Sequence, residues 1–424
     1  MDMNVNGPPM LGMPGGEWPM TREWAERSRG WAPLPFQVFV LKIHSRCDLS
    51  CDYCYVYQQV DQSWRGQPKV MSREVIDKAA SRIGEHAHTH RLAQVSVVLH
   101  GGEPLLAGAA WIAYAAETLR KAVPPATQLQ LTVTTNGVGL ADPEVLRVLH
   151  QHRIRVAVSL DGDRAAHDRH RRYANGRGSY DDVVAGLSCL LREPYQELFA
   201  GLLATIDLEN DPIAVYEGLA AFDPPRMDLL LPHGTWASPP PDRVEGSPRT
   251  PYADWLIAVF DRWVDAGDRA PGVRLFESII DLLLGGPSWT EAIGPGPVRL
   301  LVIETNGGLQ QVDTLKAAFH GAPELRIAGR DEGPGSALSV LEHELDVALR
   351  HPAVIARQVG KAALCDTCLA CPVVEVCGGG SYAHRHRPGS GFLNPSVYHP
   401  DLLKLIEHIK GWLTREWARV SQHR

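Results

Sequence analysis

Cys47, Cys51 and Cys54 stand within eight residues, spaced C-x3-C-x2-C. Three thiolates so spaced can hold three corners of a cubane iron–sulfur cluster and leave the fourth iron without a protein ligand. An iron with an open position can bind a small molecule, which a fully ligated electron-transfer cluster cannot. The same triplet could also supply three ligands of a structural zinc site, with His44 as the fourth. A second group, Cys365, Cys368, Cys371 and Cys377, runs C-x2-C-x2-C-x5-C into Gly378-Gly379-Gly380. Its spacing alone serves zinc and iron–sulfur about equally. The eighth cysteine, Cys189, sits in the apolar helical pattern VVAGLSCLLR and reads as a packing thiol.

These thiols must be positioned by a large scaffold. The chain has 424 residues, 44% hydrophobic and 21% charged, with a net charge of −7. That profile is globular and excludes a mainly disordered chain. No basic excess points to nucleic acid as partner, and no 18-residue apolar run points to a membrane. The first thirty residues lack the basic start and apolar run of a signal peptide. A long, cysteine-sparse chain is not a disulfide scaffold. A cytoplasmic protein is expected, in which clustered thiols hold metal.

Residues 1–34 read as an irregular lead-in. From there strands and helices alternate: strands at 36–43, 95–99, 129–134, 154–160, 199–206 and 227–231, with helices at 72–86, 109–122, 143–150, 180–192 and 212–221. This alternation predicts a parallel sheet with right-handed crossovers over 35–235, whose functional residues lie at the C-terminal strand ends. A Pro-rich stretch opens a 236–295 linker with two bridging helices. A hairpin at 298–312, helices around 338–358 and the second cysteine group make up 296–399. An amphipathic helix closes the chain over 400–424.

The strand ends carry short motifs. Gly101-Gly102-Glu103-Pro104 follows the second strand, Thr134-Thr135-Asn136-Gly137 the third and Ser159-Leu160-Asp161-Gly162 the fourth. Each alone reads equally as a turn or helix cap. Together, CxxxCxYC, GGEP and SLDG in this order resemble the radical SAM superfamily. The resemblance implies an α/β fold, a partial (β/α)6 barrel with a C-terminal SPASM/twitch-like auxiliary-cluster domain. It implies that Cys47, Cys51 and Cys54 ligate a [4Fe–4S] cluster that chelates S-adenosylmethionine. Gly101, Gly102 and Glu103 would then hold the methionine amino group, Tyr53 would shield the cluster, and Ser159 and Asp161 would lie near the ribose. Arg171 would approach the carboxylate, with His170, Arg172 and Arg177 as neighbours that leave the choice open.

The second group resembles the SPASM run, with departures. Ser381 and His399 stand where later cysteines would fall, and Val312 stands where the hairpin would carry one. The resemblance therefore implies one auxiliary iron–sulfur cluster, on Cys368, Cys371, Cys377 and a fourth ligand, either Cys365 or His399. Asp313, beside the lost hairpin cysteine, is a candidate base or an ordinary solvated carboxylate. His100, His233 and Tyr382 are further pocket candidates with structural readings of their own. Stretches such as DQSWRG and CPVVEVCGGGSYAHRHRPGSGFLNPSVY resemble FxsB-type peptide maturases. That implies cleavage of S-adenosylmethionine to a 5′-deoxyadenosyl radical and a carbon–carbon, cyclophane-type crosslink in a ribosomal precursor peptide, with an external one-electron reductant. Formylglycine-type oxidation, epimerisation and thioether formation are the alternative chemistries, and a zinc-containing peptide-binding module the non-enzymatic one.

Overall fold

The computed structural model describes residues 31–267, 270–327 and 337–422. Most of the expected irregular lead-in lies outside them. Among the described residues nine strands form one sheet: β1 (Val38–His44), β2 (Gln94–Gly101), β3 (Gln128–Thr135), β4 (Arg155–Ser159), β5 (Phe199–Thr205), β6 (Arg226–Leu230), β7 (Gly272–Val273), β8 (Leu300–Ile303) and β9 (Leu309–Gln310). Their order is β7-β6-β5-β4-β3-β2-β1-β8-β9. Every pair is parallel except β8 with β9. The sheet is open at both ends, as the expected α/β partial barrel requires.

The crossovers are helical: α1 (Arg73–Thr89), α2 (Ala109–Ala122), α3 (Pro143–Gln151), α4 (Arg164–His170), α5 (Tyr180–Leu190), α6 (Pro212–Ala220), α7 (Pro251–Ala266) and α8 (Arg274–Leu283). Several have explicit starts. Ser72 accepts from Val75 N at the head of α1, and Asp142 and Asp211 cap α3 and α6, each followed by proline at the first helical position. Strand β2 alternates buried and half-exposed residues. Its buried Val97 and Leu99 meet Leu41, Ile43 and Val133 in the main core.

Three features go beyond the expected elements. The expected hairpin forms as β8 and β9, and β8 also pairs in parallel with β1, Val38 opposite Leu300 through Leu41 opposite Ile303. The region 338–358 holds two short helices, α9 (Leu345–Leu349) and α10 (Pro352–Ala356). Pro352 cannot continue a helix from α9 and starts a new one. Helix α4 was not anticipated, since its seven residues, RAAHDRH, carry too few apolar positions to show a period. Beyond these come α11 (Asp366–Leu369), α12 (Val374–Cys377) and α13 (His399–Gln422). Helix α13 packs on α7 and α8, where Phe260 meets Trp412 edge-on at 5.5 Å.

Candidate active site

The first cysteine triplet forms a loop at the C-terminal end of β1. Leu49 N lies 3.4 Å from Cys47 Sγ, and Asn136 Nδ2 donates to Asp48 Oδ1 at 2.7 Å. The loop folds directly onto the end of β2: Gly102 N donates to His44 O and Glu103 N to Arg46 O, both at 2.9 Å. This approach explains both glycines. Gly101 has φ +147, and a Cβ there would sit 2.0 Å from His44 O; one at Gly102 would meet Tyr57 Oη at 1.9 Å. His44 is buried, with Nδ1 against Arg46 O at 2.9 Å.

Cys47, Cys51 and Cys54 line one cleft with Tyr53, Gly101, Gly102, Glu103, Ser159 and Arg171. The cleft is partly open, with about 1050 Å³ of empty space counting the solvent at its entrance. Burial pushes the thiols up, Cys51 to about 11, so a bound cation is needed to hold them as thiolates. A tetrahedral zinc with bonds of about 2.3 Å would draw its sulfurs to about 3.8 Å apart. Among the described residues, neither cysteine group brings three sulfurs within 4.8 Å of one another. Three thiols on one cleft wall are the donor set of a cluster that keeps one iron open.

Behind the cleft wall, Asp161 ties the frame together. It accepts from Tyr53 Oη, from Arg171 Nε at 3.0 Å and from Thr205 N at 3.0 Å. The Arg171 guanidinium lies 5.6 Å from the Tyr53 ring centroid. Asp161 is 3% exposed and is absent from the residues lining the cleft, so it positions Tyr53 and Arg171. Of the four basic candidates, Arg171 lines the cleft. Arg172 bonds the Asp168 carbonyl, Arg177 pairs with Asp182, and His170 pairs with Asp52 and Asp207.

Glu103 is buried and accepts from Leu105 N at 2.9 Å, Thr135 Oγ1 at 2.7 Å and Asn136 N at 2.7 Å. Burial pushes its carboxyl up to about 7 against those donors. His100, Tyr55 and His233 also line the cleft. Tyr55 stacks edge-on against His233 at 5.2 Å, and His233 Nδ1 meets His384 Nε2 at 3.3 Å. The segment after the second cysteine group thus reaches the cleft.

Asp313 is not solvated. It is buried, and Lys42 Nζ donates to its Oδ1 at 2.6 Å and to Glu304 Oε1 at 2.7 Å. Lys316 Nζ stands 3.6 Å from Glu304, 4.0 Å from Asp313 and 3.0 Å from Asp61. Burial alone would raise the Asp313 carboxyl, but Lys42 and Lys316 hold it below the usual carboxylate range. Lys42 sits opposite His100 in the β1–β2 register, so this network lies beside the cleft wall. The sequence did not reveal it, because Lys42 and its partners lie 262 and 271 positions apart.

In the second group, Cys368 and Cys377 are buried and Cys365 and Cys371 half-buried. The Cys368 thiol hydrogen-bonds to Cys365 and holds it below its usual value. Gly378, Gly379 and Gly380 all have positive φ, and Arg385 donates to the carbonyls of all three, at 2.7, 3.1 and 2.8 Å. Burial pushes the Cys377 thiol up, while N–H groups of Gly379 and Gly380 and the Arg385 charge favour its thiolate. His399 opens α13, half-buried, its backbone N–H bonded to Ser396 O. No hydrogen bond described for it reaches the thiols. Val312 and Tyr382, the neighbour of Ser381, share a small apolar core with Leu315 and Phe392.

The fold thus places a three-thiol loop and a cleft at the C-terminal strand ends of an open, largely parallel α/β sheet. Residues 41–200 match the family described as the Radical SAM superfamily. Its cofactors are S-adenosylmethionine and the [4Fe–4S] cluster that binds it. The chain is 24% identical to a serine-type anaerobic sulfatase-maturating enzyme of Klebsiella aerogenes, over 87% of this chain and 84% of that one. A second serine-type enzyme, from Bacteroides thetaiotaomicron, is also 24% identical, over 67% and 71%. Among solved structures, native anSMEcpe with bound AdoMet and Cp18Cys peptide superposes with a TM-score of 0.73 at 18% identity, covering 90% of this chain and 99% of that one. Streptococcus suis SuiB bound to precursor peptide SuiA gives 0.53 at 14% identity, covering 88% and 78%. At such identities the structural likeness is one of fold.

Proposed function

We propose that this protein is a radical SAM peptide maturase that joins an aromatic ring carbon to the Cβ of a nearby residue in a ribosomally made precursor peptide. A peptide substrate is supported by the relatives: sulfatase-maturating enzymes act on a protein, and two of the similar structures hold peptides. When bound, S-adenosylmethionine and its reduced cluster supply removal of a hydrogen atom from an unreactive C–H bond. Arg171 and Tyr53, braced by Asp161, orient the cofactor's polar end, and Glu103 sets negative charge beside its amino group. Ser159 offers its hydroxyl to the ribose. Tyr55 and His233 give the mouth of the cleft aromatic walls suited to an aromatic side chain.

The observation that carries the maturase reading is the Lys42–Asp313 pair. Closing a ring onto an arene ends with loss of one electron and one proton from a ring carbon. That proton is strongly acidic, so a carboxylate held at low pKa is base enough. Oxidation of a serine- or thiol-derived Cβ radical also ends with loss of one electron and one proton, so the pair is a competent terminal acceptor in either chemistry. The electron's acceptor in this reading is one auxiliary iron–sulfur cluster on Cys365, Cys368, Cys371 and Cys377, and an external one-electron donor primes the first cluster.

A second reading, formylglycine-type oxidation, is favoured by the sulfatase-maturating relatives. Because serine oxidation and crosslinking both remove two hydrogens, mass alone does not separate them. Co-expression with a candidate precursor peptide, followed by tandem mass spectrometry and hydrazide capture, does. The crosslink predicts a segment that resists fragmentation and captures no hydrazide. An aldehyde-bearing product would overturn it.

A further inference from the structure

Outside the cleft, one side-chain cluster has the donor set of a cation site. His86 and His90 stand four residues apart at the C-terminal end of α1, so their rings share a helix face. The ring centroids are 4.5 Å apart. Asp346, in the first turn of α9, faces both. Its Oδ1 is 2.6 Å from His86 Nδ1, and its Oδ2 is 2.9 Å from His90 Nε2. These three ligand atoms lie within 4.8 Å of one another. Phe36 and Phe39 wall the His86 ring at 5.9 and 6.0 Å and fix its orientation. The side chains of His90 and Asp346 are 25% and 36% exposed, which leaves one side open to water.

We propose that His86, His90 and Asp346 form a site for a divalent transition metal of the zinc class, with water completing its shell. Two imidazoles and one carboxylate suit such an ion rather than calcium or magnesium, which take oxygen shells. Bonds of about 2.1 Å would separate the ligand atoms by about 3.4 Å. The two histidine–aspartate spacings, 2.6 and 2.9 Å, need to open by less than 1 Å, at a helix end and a five-residue helix. The ion would staple the barrel's α1 to α9 in the C-terminal region. His90 precedes β2, which starts at Gln94, so the site lies at the N-terminal edge of the sheet. The cleft lies at the C-terminal edge. The metal's role is therefore structural and separate from the radical chemistry.

The test uses the full chain with its iron–sulfur clusters loaded, washed with chelator and titrated anaerobically with Zn²⁺. The expected result is one zinc per chain, a zinc-edge X-ray absorption spectrum with a nitrogen and oxygen shell and no sulfur, and a zinc-dependent rise in melting temperature. His90→Ala and Asp346→Asn should each weaken zinc binding by more than the roughly 10- to 100-fold that second-shell changes cost. Both should abolish the thermal shift and leave iron content unchanged. A sulfur shell, no retained zinc in the parent protein, or full retention in both variants would overturn the proposal and reduce the cluster to a hydrogen-bonded pair.

Discussion

The Lys42 ammonium and the Asp313 carboxylate meet at 2.6 Å, both buried, beside the wall of the cofactor cleft. The contact joins the first strand to the turn after the last and holds the Asp313 carboxylate, the proposed base, in its ionised form. Asp313→Asn keeps the shape and removes the proton acceptor. It should lower modified peptide by about 10²- to 10⁴-fold, the usual worth of a positioned base. Consumption of S-adenosylmethionine should continue. Chromatography of both products in one assay checks this, and equal loss of the two would contradict the assignment.

The same pair has a stability signature. Burial would lower the Lys42 ammonium, but Asp313 and Glu304 outweigh it and raise its pKa. Its contribution is therefore complete below the ordinary lysine value and is lost only at strongly alkaline pH. Asp313 and Asp61 have depressed pKa values. Their contribution is present above about pH 4 and is lost as pH falls through the depressed values. Lys42→Met strands two buried carboxylates at neutral pH and should cost about 3–5 kcal/mol, less whatever Lys316 compensates. The cost should shrink as pH falls towards 4, because the stranded carboxylates then protonate. Urea unfolding at pH 7 and pH 4.5 measures the difference. A cost that grows on acidification would refute the account.

Glu103 runs the opposite way. Burial raises its carboxyl to about 7, so the folded chain binds more protons than the unfolded one between about pH 4.5 and 7. Stability falls across that window as pH rises. The amino group of S-adenosylmethionine favours the ionised form. Affinity for the cofactor should therefore weaken as pH drops below 7, approaching about tenfold per pH unit. Equilibrium binding to cluster-loaded protein between pH 6 and 8 tests this. A flat profile would remove Glu103 from the amino-group site.

Much of this was legible from the sequence, for identifiable reasons. Strands such as VSVVL lie in a parallel sheet and read as apolar runs, and the three thiols and the GGEP turn are contiguous. The glycine reading changed in kind. Gly101 and Gly102 were expected to admit a ligand, yet their missing side chains first admit the backbone of His44 and Arg46. The Lys42 network was hidden, because a lysine inside FVLKI looks like an ordinary outward position and its partners are far along the chain. The place of β8 beside β1 was hidden too, since four residues, LLVI, specify a strand and not its neighbour.

That glycine geometry gives a direct prediction. Gly101→Ala places a Cβ 2.0 Å from His44 O at a φ of +147, so the cysteine loop must lift from β2. The variant should retain the helical signal of the barrel and lose most of the iron bound at Cys47, Cys51 and Cys54. Iron analysis after reconstitution, beside circular dichroism, reads both. Normal iron loading would show that the loop and the strand end are not coupled.

The fourth auxiliary ligand follows from the second cysteine group. Cys365 shares a hydrogen bond with Cys368, and Arg385 places its charge beside Cys365, Cys368 and Cys377. No hydrogen bond described for His399 connects it to them. Cys365→Ala should therefore lose or convert the auxiliary cluster, whereas His399→Ala should leave its iron content and electron paramagnetic resonance signal unchanged. Arg385→Gln removes a positive charge that favours the reduced, more negative state, and unties three glycine carbonyls. It should lower the cluster's reduction potential while Cys47, Cys51 and Cys54 keep their iron. Potentiometric titration of the three variants settles the assignment: loss of the cluster in His399→Ala with retention in Cys365→Ala would transfer the fourth position to the histidine.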